Sequence, residues 1–167
     1  MNLILHDLEP DEWEALQIPV QEDTKIIDRQ GDIHRCVGCF GCWVRTPGQC
    51  VIADDYQKMG ELFARTDQLT IISRCRFGSY SSFVKNVLDR SISYILPFFE
   101  IRKGEMHHKP RYGNRITMEA IFYGTDVTEE EKATAKRLVE ANAVNLSGDV
   151  QRVVFVEEIG KIKEVLV

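Results

Sequence analysis

The chain has 167 residues and a mass of 19.2 kDa, and 44% of it is apolar. That suffices for one domain, expected over residues 1–167, that hides roughly 68–70% of its unfolded surface. Twenty-six acidic residues against 21 basic ones give a net charge of -5 and a pI near 5.4, which argues against a protein that mainly holds nucleic acid or an anionic membrane.

No apolar run approaches the roughly 20 residues needed to cross a bilayer. Met1 to Asp7 has neither the basic region nor the long apolar segment of a signal peptide, so a cytoplasmic location is expected. Asn2 to His6 (NLILH) and Thr24 to Asp28 (TKIID) predict short buried strands. Between them Pro10 to Leu16 predicts about two helical turns, with Pro10 at an opening position and Asp11 and Glu12 at the positive end of the helix dipole. Gly31 to Val51 has no clean period and reads as a loop. Asp54 or Asp55 is expected to cap a helix running to about Arg65, with Met59, Leu62 and Phe63 on one face.

Gln68 to Ser73 (QLTIIS) predicts a central strand, and Ser79 to Ser91 a helix with Phe83, Val84, Val87 and Leu88 turned inward. Pro97 limits further helix. Gly104 to Arg115 reads as polar and irregular. Its His107, His108, Lys109, Arg111 and Arg115 make the one basic patch, for which a solvated face is the plain explanation. Ile116 to Tyr123 is the next strand, and Thr128 with Glu131 forms a capping-box pattern that opens a helix to about Asn145. Arg152 to Val156 predicts a last strand and Ile159 to Leu166 a short final helix. Short apolar strands alternating with helices predict a doubly wound, mostly parallel α/β sheet. Ligands of such sheets bind beyond the carboxyl ends of the strands, here the loops after His6, Asp28, Ser73 and Tyr123.

Four of the five cysteines crowd into one stretch, CVGCFGCWVRTPGQC, with the spacing C-x2-C-x2-C-x7-C. Gly38 and Gly41 relax the backbone between Cys36, Cys39 and Cys42, and the arm through Pro47 and Gly48 can return Cys50 as a fourth ligand. Four converging thiolates suit a [4Fe–4S] cluster or tetrahedral zinc, and the tight triple spacing leans toward iron–sulfur. Reduced thiols that bind nothing, or a redox dithiol, fit the same residues. Trp43 reads as packing or a stacking surface, and His34 as a hydrogen-bond partner.

At these residues the sequence resembles the flavodoxin-like NAD(P)H-dependent FMN reductases and iron–sulfur flavoproteins. The likeness runs from about Cys36 onward. It rests on the cysteine-rich loop followed by Asp54 and Asp55, on a strand followed by a flavin-edge loop, and on a helix carrying Lys85, Asp89 and Arg90. It implies a five-stranded parallel sheet in a three-layer α/β/α sandwich. By the same resemblance Cys75, Arg76, Phe77, Gly78 and Ser79 would line a flavin ring, with Gly124 and Thr125 approaching its far side. Arg74 and Arg76 stand where the family usually has proline and tyrosine. The larger departure is after the first strand, where relatives carry a Gly- and Ser-rich phosphate loop and this chain has His6, Asp7, Leu8, Glu9 and Pro10.

The resemblance implies an FMN-dependent oxidoreductase or electron-transfer flavoprotein, with a reduced nicotinamide nucleotide or a redox protein as electron donor and no essential protein nucleophile. The altered first loop supports an alternative, a cofactor-free protein of the same fold with an interaction or regulatory role. A thiol hydrolase built on Cys75 with His107 or His108 has no sequence geometry behind it. Relatives bind flavin near a dimer interface, so a homodimer is expected, with Tyr94 to Phe99 (YILPFF) as its apolar segment.

Overall fold

The structure, a computed structural model, describes residues 1–102 and 104–166. In chain order its elements are β1 (Asn2–His6), α1 (Pro10–Leu16), β2 (Thr24–Ile27), α2 (Gly41–Val44), α3 (Met59–Ala64), β3 (Gln68–Arg74) and α4 (Ser82–Arg90). They continue with β4 (Ile95–Arg102), β5 (Glu105–Pro110), β6 (Thr117–Tyr123), α5 (Glu129–Asn145), β7 (Asp149–Val156) and α6 (Ile162–Val165). Among the described residues, five strands pair in parallel in the order β2-β1-β3-β6-β7. That order is the doubly wound one whose switch point lies between β1 and β3.

Strand alternation splits the core into two layers. Leu3, Leu5, Leu69, Ile71, Met118, Ala120 and Phe122 face one way, against Met59 and Phe63 of α3, Val84 and Val87 of α4, and Ala135 and Val139 of α5. Ile72, Ile121 and Tyr123 face the other way, against Leu8, Leu16 and Ile162 around α1 and α6. Phe63, Val84, Val87, Ile71 and Ile121 are fully buried, and each such side chain contributes roughly 1.5–3 kcal/mol over its exposed state.

The helix ends follow the residues that cap them. Ser81 accepts the Val84 amide at the start of α4. Thr128 and Glu131 close the expected box, with Glu131 N donating to Thr128 Oγ1 (3.2 Å) and Thr128 N to Glu131 Oε2 (2.9 Å). The helix expected to be capped by Asp54 or Asp55 starts at Met59, with Lys58 in the cap position. Asp54 is drawn away from capping because its carboxylate accepts the His34 and Tyr56 amides and grips Arg90 instead. The expected loop from Gly31 to Val51 contains one short helical turn, α2.

The segment after α4 departs furthest from expectation. Ile95–Arg102 and Glu105–Pro110, which read as a proline-limited stretch and an irregular one, form an antiparallel pair outside the main sheet. Phe99 lies opposite His108 and Ile101 opposite Met106, with a register shift between Ile95 and Phe99, where Pro97 sits. Proline is tolerated on such a two-stranded ribbon because its missing N–H can face away from the partner. The basic residues of this region do not form one patch. His108 packs between Trp43 and Phe99, His107 bonds Asn145, Arg111 donates to Ser93 O, and Arg115 pairs with Asp149.

Candidate functional site

The long loop from β2 to α3 lies beyond the carboxyl end of the sheet and is tied at both ends to α4. Arg90, the last residue of α4, is fully buried and meets Asp54 through two parallel bonds of 2.6 and 2.7 Å. The same guanidinium donates to His34 O (2.8 Å) and Ile52 O (3.4 Å). Asn86, one turn earlier on α4, accepts the Cys36 amide (3.2 Å) and donates to His34 O (3.4 Å). One helix thus holds both the entry and the exit of the cysteine loop. Burial works against the Asp54 charge, but Arg90 and the amides of His34 and Tyr56 overcome it and hold its carboxyl down to about 2.

All four loop cysteines line one largely apolar cavity of about 270 Å³, together with Phe40, Trp43, Ile52 and Arg90. Cys42 and Cys50 are buried, Cys36 is half-buried and Cys39 is exposed. Burial pushes the Cys42 thiol up, and the nearby Cys50, Cys36 and Cys39 push it in the same direction. A buried thiol that resists losing its proton gains from a positive metal centre, which favours the thiolate. Gly41 permits the tight return of the loop, since a Cβ there would meet Val51 at 2.5 Å.

Among the described residues no group of three or more His, Cys, Asp or Glu gathers about one point as a metal ion requires. A tetrahedral zinc needs its thiolates about 2.3 Å from a single centre. An iron–sulfur cluster takes one thiolate at each of several separated irons, so its ligands line a cavity wall. Four thiols on one cavity wall have the donor chemistry of the second description.

The residues expected at a flavin edge lie at the ends of β3 and β6. Cys75, Arg76, Phe77, Gly124 and Thr125 line a second cavity of about 180 Å³. Phe77 and Gly78 form a tight turn with φ of 52° and 71°, closed by mutual backbone bonds of 2.9 Å between Arg76 and Ser79. Phe77 is 91% exposed. Gly78 and Ser79 serve the turn rather than the cavity: a Cβ on Gly78 would stand 2.9 Å from Glu131 O of α5. Burial also pushes the Cys75 thiol up.

The loop after β1 is filled by carboxylates. Asp7 is buried and accepts the Arg74 amide (3.0 and 3.2 Å), the Tyr123 hydroxyl (3.1 Å) and the Ser73 hydroxyl (3.4 Å). Glu9 and Glu12 cap α1 in a capping box of their own, and Pro10 follows without an amide. Donors from the ends of two strands, β3 and β6, therefore already serve an internal carboxylate. A phosphate dianion does not fit there, because it would meet three carboxylates. Arg74 and Arg76 line the adjacent cavity with Arg29, which pairs with Glu9 at 2.9 Å.

Sequence reasoning picked out the four cysteines and marked Asp54 and Arg90, but it did not assign the clamp between the last two. Asn86 carried no signal, since an Asn within a helix is ordinary. Lys85 and Asp89 pair with each other at 2.6 Å across the exposed side of α4.

No known family model matches the sequence, and no curated protein matches it. Solved structures are similar in fold. The azoreductase AzrA has a TM-score of 0.53 at 8% identity, covering 98% of this chain and 89% of that one. The Trp repressor binding protein of Bacillus subtilis has a TM-score of 0.52 at 13% identity, covering 98% and 92%. General stress protein 14 of Treponema denticola, solved in complex with FMN, has a TM-score of 0.52 at 12% identity, covering 98% and 89%. With its strand order and three layers, this chain has the flavodoxin-like α/β fold.

Proposed function

We propose that the chain is an electron-transfer oxidoreductase of the flavodoxin-like fold whose redox centre is the cysteine cavity. The observation that carries this reading is the common wall formed by Cys36, Cys39, Cys42, Cys50 and the buried cation Arg90. A [4Fe–4S] cluster held by these four thiolates would supply one-electron chemistry. Arg90, Asp54 and Asn86 hold the loop in register, and Phe40, Trp43 and Ile52 limit the access of water to the thiols. The electron donor would be a redox protein or a reduced nicotinamide nucleotide.

A second reading keeps FMN. Its support is the cavity at the ends of β3 and β6, together with the FMN-bound structure of similar fold. In that case Arg74 and Arg76 would have to take the phosphate that the β1 loop turns away.

Anaerobic reconstitution with ferrous iron and sulfide, with FMN added in a parallel sample, tests both readings. The first expects a brown protein with stoichiometric iron and acid-labile sulfide and no retained flavin, and Cys42→Ser to abolish iron uptake. Retained flavin without iron would favour the second. A colourless protein that takes up neither would return the chain to a cofactor-free interaction role.

A further inference from the structure

We propose that Arg90 sets the reduction potential of the cysteine cavity, by turning its remaining N–H and its positive charge toward the thiolates. The inference rests on the cluster reading above and adds a role for a residue outside the ligand set.

A guanidinium carries five N–H donors. Four of them are used by Arg90: Nη1 donates to Asp54 Oδ2 and His34 O, and Nη2 to Asp54 Oδ1 and Ile52 O. The fifth, on Nε, is buried and has no hydrogen-bond partner among the described residues. A buried donor without an acceptor is costly and uncommon. Arg90 forms part of the wall that carries the thiols, and Cys50 is among the groups that support its charge against burial. A clamp with only a mechanical task is complete with the four terminal donors. The fifth has its natural acceptor in thiolate sulfur, where N–H···S bonds and a nearby positive charge both favour the more negative state.

Asp54 makes the device directional. It engages the guanidinium through Nη1 and Nη2 and does not itself line the cavity, whereas Arg90 does, so the cation is the member of the pair that shares a wall with the thiols. Uptake of one electron from a one-electron reductant adds one negative charge to the cavity and changes no bond or proton. Arg90 stabilises that added charge and so raises the potential.

The test compares the wild type with D54N, R90K and the neutral pair R90Q/D54N after anaerobic reconstitution. Iron and sulfide content, the electron paramagnetic resonance of the dithionite-reduced form and the midpoint potential are measured for each. About four irons per chain are expected in the wild type, and potentials are compared between proteins of equal iron content. D54N should shift the potential upward because the cation loses its counter-charge, R90Q/D54N should shift it downward, and R90K should stay closer to the wild type than R90Q/D54N does. Equal potentials in variants with intact clusters would overturn the inference and leave Arg90 as a clamp. A wild type that takes up no iron and sulfide would overturn the cluster reading itself, and the inference with it. If R90Q/D54N fails to fold, a downward shift in R90K, which keeps the charge and loses the Nε donor, still decides the matter.

Discussion

Two buried side chains, His6 and Asp54, tie stability to pH in ways the sequence does not display. His6 ends β1 with its ring stacked on Trp13 at 4.2 Å, and neither ring nitrogen has a partner among the described residues. Burial lowers its pKa against the pull of Asp28, Asp7 and the Leu8 backbone. The unfolded chain therefore takes up a proton below about pH 6.5 that the folded chain refuses. His6 contributes stability above that pH and loses it as the pH falls toward its lower folded value. Asp54 has the same sign at lower pH: its contribution is complete above about 4 and is lost as the pH approaches 2, and amounts to about 2 kcal/mol. Urea denaturation across pH should show two separate declines. His6→Phe keeps a ring against Trp13 and should remove the upper decline while leaving the lower one.

Elements follow local signals where those signals are self-contained, and depart from them where a distant partner intervenes. The Thr128–Glu131 box opens α5 as the spacing predicts, because both of its bonds lie within one turn. Asp54 has the residue type of a cap but serves Arg90, thirty-six positions away, so α3 begins at Met59. The flavin-edge turn shows the same dependence. Gly78 has a positive φ and stands against Glu131 and Thr134 of α5, so a side chain there is strained twice. Gly78→Ala is expected to destabilise the protein by roughly 1–3 kcal/mol, read from its denaturant midpoint. A change below a few tenths would mean that α5 can move aside.

At the scale of the whole molecule the β4–β5 ribbon is the feature that the sheet does not absorb. Phe98, Phe99, Ile101 and Met106 are exposed along it, and an apolar edge of this kind is an unfavourable surface for a lone chain. We propose that two copies pair through it, as the YILPFF segment leads one to expect. Light scattering should then give a mass near twice 19.2 kDa, and Phe99→Ser should move it toward the single-chain value. A monomeric wild type would set the pairing aside. Among the described residues no helix is long and apolar enough to cross a membrane.

Composition, strand spacing and the cysteine run by themselves determined the α/β class, the order of the main elements and the group of residues from Cys36 to Cys50. Those signals are local: an apolar run of strand length, a capping box within one turn, thiols a few residues apart. The tertiary structure decided the rest, because each remaining feature joins positions far apart in the chain. Only the fold shows that Asp7 takes the donors of Ser73, Arg74 and Tyr123. The pairing of Ile95–Arg102 with Glu105–Pro110 was hidden because Pro97 and a basic, polar composition mask a ribbon held by backbone bonds. The convergence of Arg90 and Asn86 on the cysteine loop depends on α4 packing against it, which no periodicity within α4 can encode.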